Sequence, residues 1–260
     1  MNRRHLLLTL CAAATFLGAG TASADALQNI QKAGTIRIAV PQDFPPFGSV
    51  GPDLKPVGYD IDTAKLIASR LNVTVELVPV TSANRIAYLQ TGKVDLVISS
   101  MGKNAEREKV IDFSAAYAPF FNGVFGPANI KASKPEDLDG KTVGVTRGAV
   151  EDIELSKIAP AGATIKRYED NNGTISAFLS GQVQLIATGN VVAAAILAKN
   201  PPKKPETKFL IKNSPCFIGL NKNEPALQAK VDAILAEAKK DGSLNAISRK
   251  WLGADLPAGL

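Results

Sequence analysis

The chain has 260 residues, of which 45% are hydrophobic and 21% charged, with a formal net charge of +6. Its basic residues are scattered without a block, which gives nucleic-acid binding no support. A single histidine, His5, excludes Ser-His-Asp and Cys-His catalysis and histidine-ligated metals in the body of the chain.

Residues 1–24 read as a secretory signal peptide. Arg3, Arg4 and His5 form a positive start, residues 6–20 are apolar, and Ala22-Ser23-Ala24 is an A-x-A cleavage site before Asp25. The apolar run is too short for a membrane span. Cys11 as a lipid anchor would need small residues before it, and Leu8-Thr9-Leu10 lacks them. Cleavage removes Cys11 and leaves Cys216, so an intramolecular disulfide is excluded. Cys216 lies in SPCFIGL and reads as a small buried hydrophobe.

Beyond the leader, residues 35–40 read as a strand broken by Pro41, and residues 45–56 as a loop dense in turn formers. The spacing of Ile61, Ala64, Ile67 and Ala68 predicts a helix over 59–71. Strands follow at 73–80 and 94–99, with a short amphipathic helix at 84–91 between them. This β-α-β-α-β order predicts a mostly parallel sheet covered by helices. Ligands bind such sheets at the carboxyl ends of the strands. Phe44, Ser99 and Ser100 fall at or just past such ends.

The pattern then repeats. Strands are predicted at 141–146, 164–168 and 183–187, and helices at 173–179 and 191–198. Gly148 opens another helix, with Val150, Glu151 and Asp152 in its first turn. Residues 208–210 and 217–220 read as strands, and 224–240 and 244–251 as closing helices. The former helix carries an apolar stripe of Leu227, Val231, Ile234, Leu235 and Ala238. Two extended, glycine-bearing stretches, 121–126 and 216–220, read as crossings between two lobes.

The segment from Ser82 to Tyr117, SANRIAYLQTGKVDLVISSMGKNAEREKVIDFSAAY, suits a carboxylate site. A strand end and turn supply hydroxyls and backbone N–H groups, and arginine supplies a planar two-bond fork. The segment resembles the bacterial extracytoplasmic solute-binding proteins for polar amino acids. The resemblance runs from TIRIAVPQDFPPF to DGSLNAISRKWLG. It implies a two-lobed periplasmic binding protein fold of α/β type, with a two-crossing hinge. Lobe 1 would comprise 25–124 and 220–260, and lobe 2 would comprise 125–219. It also implies a monomer in the periplasm without a cofactor, serving inner-membrane ABC permease subunits.

By that resemblance Arg107 holds a ligand α-carboxylate, with Ser99, Ser100 and Gly102 beside it, and Phe44 covers the ligand. Ser82 stands where many members carry a second aromatic. TSANRI is similar to the segment with which glutamate/aspartate-binding members hold a side-chain carboxylate, through Ser82 and Arg85. Two buried cations need anionic charge to offset their desolvation. The second half departs from the pattern, because Gly189 stands where an aspartate usually meets the ligand's ammonium. Asn190 offers only an amide carbonyl there. Glu151 or Asp152, with Val150 adjacent, is the candidate replacement, and the competing role for that pair is a helix N-terminal charge. Arg147 is a candidate third anion contact.

These residues imply capture of a small acidic amino acid. The alternatives are a dicarboxylate or keto acid without an ammonium, and a periplasmic dehydratase of the cyclohexadienyl type with Glu151 as its acid or base. A third reading, a detached sensory receptor domain, would need a membrane span or a signalling domain.

Overall fold

A computed structural model describes residues 25–260. The signal-peptide reading of 1–24 therefore lies outside the described residues.

The first sheet runs β5-β1-β6-β13-β7. Its strands are β1 (Thr35–Pro41), β5 (Thr74–Val80), β6 (Leu96–Met101), β7 (Ile111–Ala118) and β13 (Cys216–Asn221). The second runs β10-β9-β11-β8-β12, from β8 (Phe121–Gly126), β9 (Thr142–Thr146), β10 (Thr164–Tyr168), β11 (Leu185–Gly189) and β12 (Glu206–Asn213). Both sheets are mixed rather than mostly parallel. Three parallel strands make one side of each, and two antiparallel pairings make the other. The antiparallel half arises because each sheet takes in a strand that returns from the other lobe.

Alternate residues of the central strands are buried on both faces. In the first sheet Ile36, Ile38 and Val40 join the core beneath α2 (Tyr59–Leu71) and α8 (Pro225–Lys240). Ala39 and Val97 face the smaller core under Leu89 of α3 (Arg85–Gln90). In the second sheet Val143, Val145 and Leu185 pack against Leu155 of α5 (Val150–Ile158). On its other face Phe125 and Ile186 meet Phe178 of α6 (Asn171–Leu179) and Ala193 of α7 (Asn190–Leu197). Cys216 is fully buried in the first core, and burial pushes its thiol well above the ordinary range.

The chain leaves the first sheet after Ala118 and re-enters it at Cys216. The divisions read from sequence, 124/125 and 219/220, fall inside β8 and β13. Several elements escaped the sequence reading, besides a 3-10 turn at Pro135–Leu138. They are α1 (Ala26–Ala33), β7, and a small sheet of β2 (Asp43–Phe44), β3 (Gly48–Val50) and β4 (Pro56–Val57).

The lobes touch. Lys157 pairs with Glu106 at 3.2 Å, and Lys212 Nζ donates to the Lys103 carbonyl at 3.1 Å. The backbone N–H of Asn171, at the start of α6, donates to Asp43 Oδ2 at 2.7 Å.

Candidate functional site

A cavity lies where the carboxyl ends of the parallel strands of both sheets meet. It is lined by Phe44, Ser82, Arg85, Ser100, Gly102, Phe120, Asn122, Ala149, Val150 and Glu151. The walls leave about 10 Å³ between them, about the room of one water. Entry of anything larger requires the walls to part.

Segments at or beyond the ends of β1, β5 and β6 supply one wall. Phe44 follows β1 and stacks on Phe47 and Phe120 at ring-centroid distances of 6.2 Å. Ser82 and Arg85 follow β5. Arg85 is 2% exposed, so it is not the solvated face of a short helix. Its Nη1 donates to the Ser99 carbonyl, and its Nε is buried without a partner. Ser99 is buried in β6 and offers that carbonyl rather than a place in the lining.

Ser100 takes a left-handed φ of 40°. Such a backbone costs of order 1–3 kcal/mol in a residue other than glycine. Its N–H is held at 2.7 Å by Asp60 Oδ2, and Tyr117 donates its hydroxyl to the other oxygen at 2.6 Å. Burial pushes Asp60 up to about 7, against those two bonds and the nearby Arg85 charge. The sequence reading did not single out Asp60, because the helical pattern of α2 made it look like an N-terminal acid.

Arg107 begins from α4 (Ala105–Glu108), which Asn104 caps by accepting from the Arg107 N–H at 2.9 Å. Its Nη1 donates to the Gly102 carbonyl at 2.6 Å and its Nη2 to the Gly148 carbonyl at 2.8 Å. The guanidinium therefore spans from one lobe to the other, just behind the cavity lining. Burial first, then the Arg85 charge, pushes it down to about 9, so it stays charged at neutral pH. A Cβ at Gly102 would meet the Ser214 hydroxyl and a Val150 methyl, so a larger residue there would have to displace them.

The opposite wall is the start of α5. Val150 and Ala149 line it, and Glu151 is 2% exposed with Oε1 unpaired. Burial pushes Glu151 up to about 7, opposed by the charges of Arg85 and Arg107. The adjacent Asp152 takes the end-of-helix role instead. It accepts from the Gly148 N–H at 3.0 Å and pairs with Arg167 at 2.8 Å.

Two expected site residues lie elsewhere. Arg147 is half-exposed and pairs with Glu169 at 2.8 Å, because its side chain leaves the turn on the solvent side. Asn190 spends its amide oxygen on the Phe121 N–H at 3.0 Å. At Gly189 the space for a side chain is taken, since a Cβ there would fall within the Phe120 ring. Sequence reasoning missed Phe120 and Asn122, because their place in the cavity comes from the crossing strand's path and no local motif marks it.

Residues 36–254 match the family model of bacterial extracellular solute-binding proteins, family 3. An L-cystine-binding protein of Escherichia coli strain K12 is 30% identical over 237 residues, 88% of this chain and 87% of that protein. A histidine-binding periplasmic protein of the same strain is 27% identical over 266 residues, 98% of this chain and 100% of its own. Among solved structures, an ancestral arginine-binding protein bound to glutamine is 36% identical, with a TM-score of 0.79, covering 85% of this chain and 98% of that one.

Proposed function

The chain belongs to the bacterial extracellular solute-binding proteins of family 3, and from that premise we propose that its cleft captures an acidic amino acid. It is the periplasmic binding component of an amino-acid ABC importer, a binding protein rather than an enzyme, and it passes its ligand to inner-membrane permease subunits. The relatives' names carry cystine and histidine, and the solved ancestral protein holds glutamine. The acidic preference rests on this chain's own cleft.

One observation carries it. Arg85 is buried in the cavity lining and Arg107 is buried just behind it, and the carboxyl group of Glu151 stands in the lining with an unpaired oxygen. Two guanidinium groups stand against one carboxylate of the lining, and the Asp60 carboxyl behind it, bonded to Ser100 and Tyr117 and pushed up to about 7, is only partly ionised at neutral pH, which leaves an excess positive charge. A ligand with two carboxylates and one ammonium offsets it. In this reading Arg107 takes the α-carboxylate and Arg85 the side-chain carboxylate. Ser82, Ser100 and Gly102 supply hydroxyl and backbone contacts, Ser99 holds Arg85 through its carbonyl, Glu151 takes the ammonium, and Phe44 and Val150 close over the ligand. Capture proceeds by closure of two lobes about the crossings near Pro119-Phe120 and Ser214-Pro215.

Thermal unfolding with L-glutamate, L-aspartate, L-glutamine, L-histidine, L-cystine and glutarate tests this. A ligand at one hundred times its Kd stabilises the folded state by about 2.7 kcal/mol. Glutamate or aspartate should give the largest shift. A larger shift with a neutral or basic amino acid, or with glutarate, would overturn the acidic reading.

A further inference from the structure

We infer that Asn122 contacts the ligand and completes, with Glu151, the seat of its ammonium group. Asn122 is 1% exposed and lines the cavity. Both polar atoms of its side chain, Oδ1 and Nδ2, are buried without a hydrogen-bond partner. A buried amide left unpaired at both ends costs free energy that a bound polar group recovers.

Its place in the sheet says which group that is. In the antiparallel pairing of β8 with β11, Asn122 lies directly opposite Gly189. Residues opposed in this way carry their side chains on one face, with Cβ positions about 5 Å apart. Gly189 itself bears no side chain, and the Phe120 ring forbids one. Asn190, next along, is committed to the Phe121 N–H. The polar group on this face of the crossing therefore comes from Asn122. Its carbonyl oxygen accepts, and Glu151 Oε1, lining the same cavity, accepts beside it. The two unpaired acceptors match a group with several donors, and an ammonium has three. The free Nδ2 donates to the carboxylate borne on the same carbon.

This rests on the chain binding an α-amino acid, and the test separates the two. Wild type, Asn122→Leu and Asn122→Asp are titrated by calorimetry with L-glutamate and with glutarate, which lacks the ammonium. Circular dichroism and the thermal midpoint establish that each variant is folded. The Leu variant should weaken glutamate at least tenfold and glutarate by a clearly smaller factor, since glutarate loses only the bond from Nδ2. The Asp variant should keep glutamate and weaken glutarate. A folded Leu variant with wild-type affinity for glutamate, or with equal losses for both ligands, overturns the role of Asn122. Should the wild type bind L-glutamine instead of glutamate, the acidic reading fails. The Asn122 comparison then runs on glutamine against its des-amino counterpart with the same criteria. Wild-type binding of glutarate alone overturns both.

Discussion

Arg107 reaches across the cleft to Gly148, its Nη2 donating to that backbone carbonyl at 2.8 Å while its Nη1 holds Gly102 at 2.6 Å. A guanidinium has five donors in a fixed plane, so these two bonds leave others for an anion. The same side chain thus joins the lobes just behind the cavity lining.

Replacing Arg107 with Ala should weaken the preferred ligand by at least ~2 kcal/mol, because a desolvated, charged contact loses both its bonds and its complementarity. Arg107→Lys should recover little of this, since a point charge does not reproduce the fork. Isothermal titration calorimetry reads both. Wild-type affinity in the Ala variant would remove Arg107 from the site.

Arg85 should set selectivity for a second acidic group. Arg85→Ala is expected to cost acidic amino acids and dicarboxylates at least tenfold in affinity, and L-glutamine far less. Equal losses across these ligands would instead mean that Arg85, through its bond to the Ser99 carbonyl, only supports the wall.

Glu151 should make both stability and binding depend on pH. Its carboxyl sits at about 7 in the folded protein, above its ordinary value. The folded state therefore holds a proton that the unfolded chain has released, and stability falls as pH rises from about 4.5 to about 7. Glu151→Gln should flatten part of that slope in thermal midpoints taken between pH 4.5 and 8. Asp60, at about 7, and Asp43, also raised, keep the remainder. An ammonium-bearing ligand prefers ionised Glu151, so its affinity should rise with pH up to about 7. An affinity that falls over that range would argue against an ammonium at Glu151.

Gly189→Ala should destabilise the protein by about 1–3 kcal/mol, the usual result of overpacking, because its Cβ meets the Phe120 ring. The cost should shrink in a Phe120→Ala background. Denaturant unfolding of the four-member cycle measures the coupling, and additive losses would mean that the ring is not the obstacle.

Ligand should stabilise the closed arrangement, in which Asp43 caps α6 across the cleft and Arg107 meets Gly148. Small-angle scattering should show a smaller radius of gyration at saturating ligand. An unchanged profile, with binding measured in parallel, would mean that the cleft does not hinge.

Much of the fold is legible because buried parallel strands are unbroken apolar runs and the long helices repeat their apolar face. The first-lobe wall is legible for a related reason: Ser82, Arg85, Ser100 and Gly102 lie at or beyond strand ends, where such sheets place ligands. What escaped is set by direction rather than by type. Glu151 and Asp152 are neighbours on one helix turn, yet one enters the cavity and the other faces Arg167. Arg147 and Asn190 have the right chemistry one step from the site, and each is held by a partner distant in sequence, Glu169 and Phe121. Asn122 sits in a strand with no polar pattern, and only the pairing with Gly189 reveals its neighbour. The short strands of the small sheet have too few residues to show a period.

Strand β13 lies between β6 and β7, although both of those end before residue 119 and β13 begins at residue 216. Until it arrives, the first sheet is in two pieces, each with a bare edge. A chain emerging from its amino end therefore presents first the half that is unable to finish. Closing so long a loop before its contacts form also slows folding. The first sheet is therefore joined into one piece only when the chain as far as residue 221 is available.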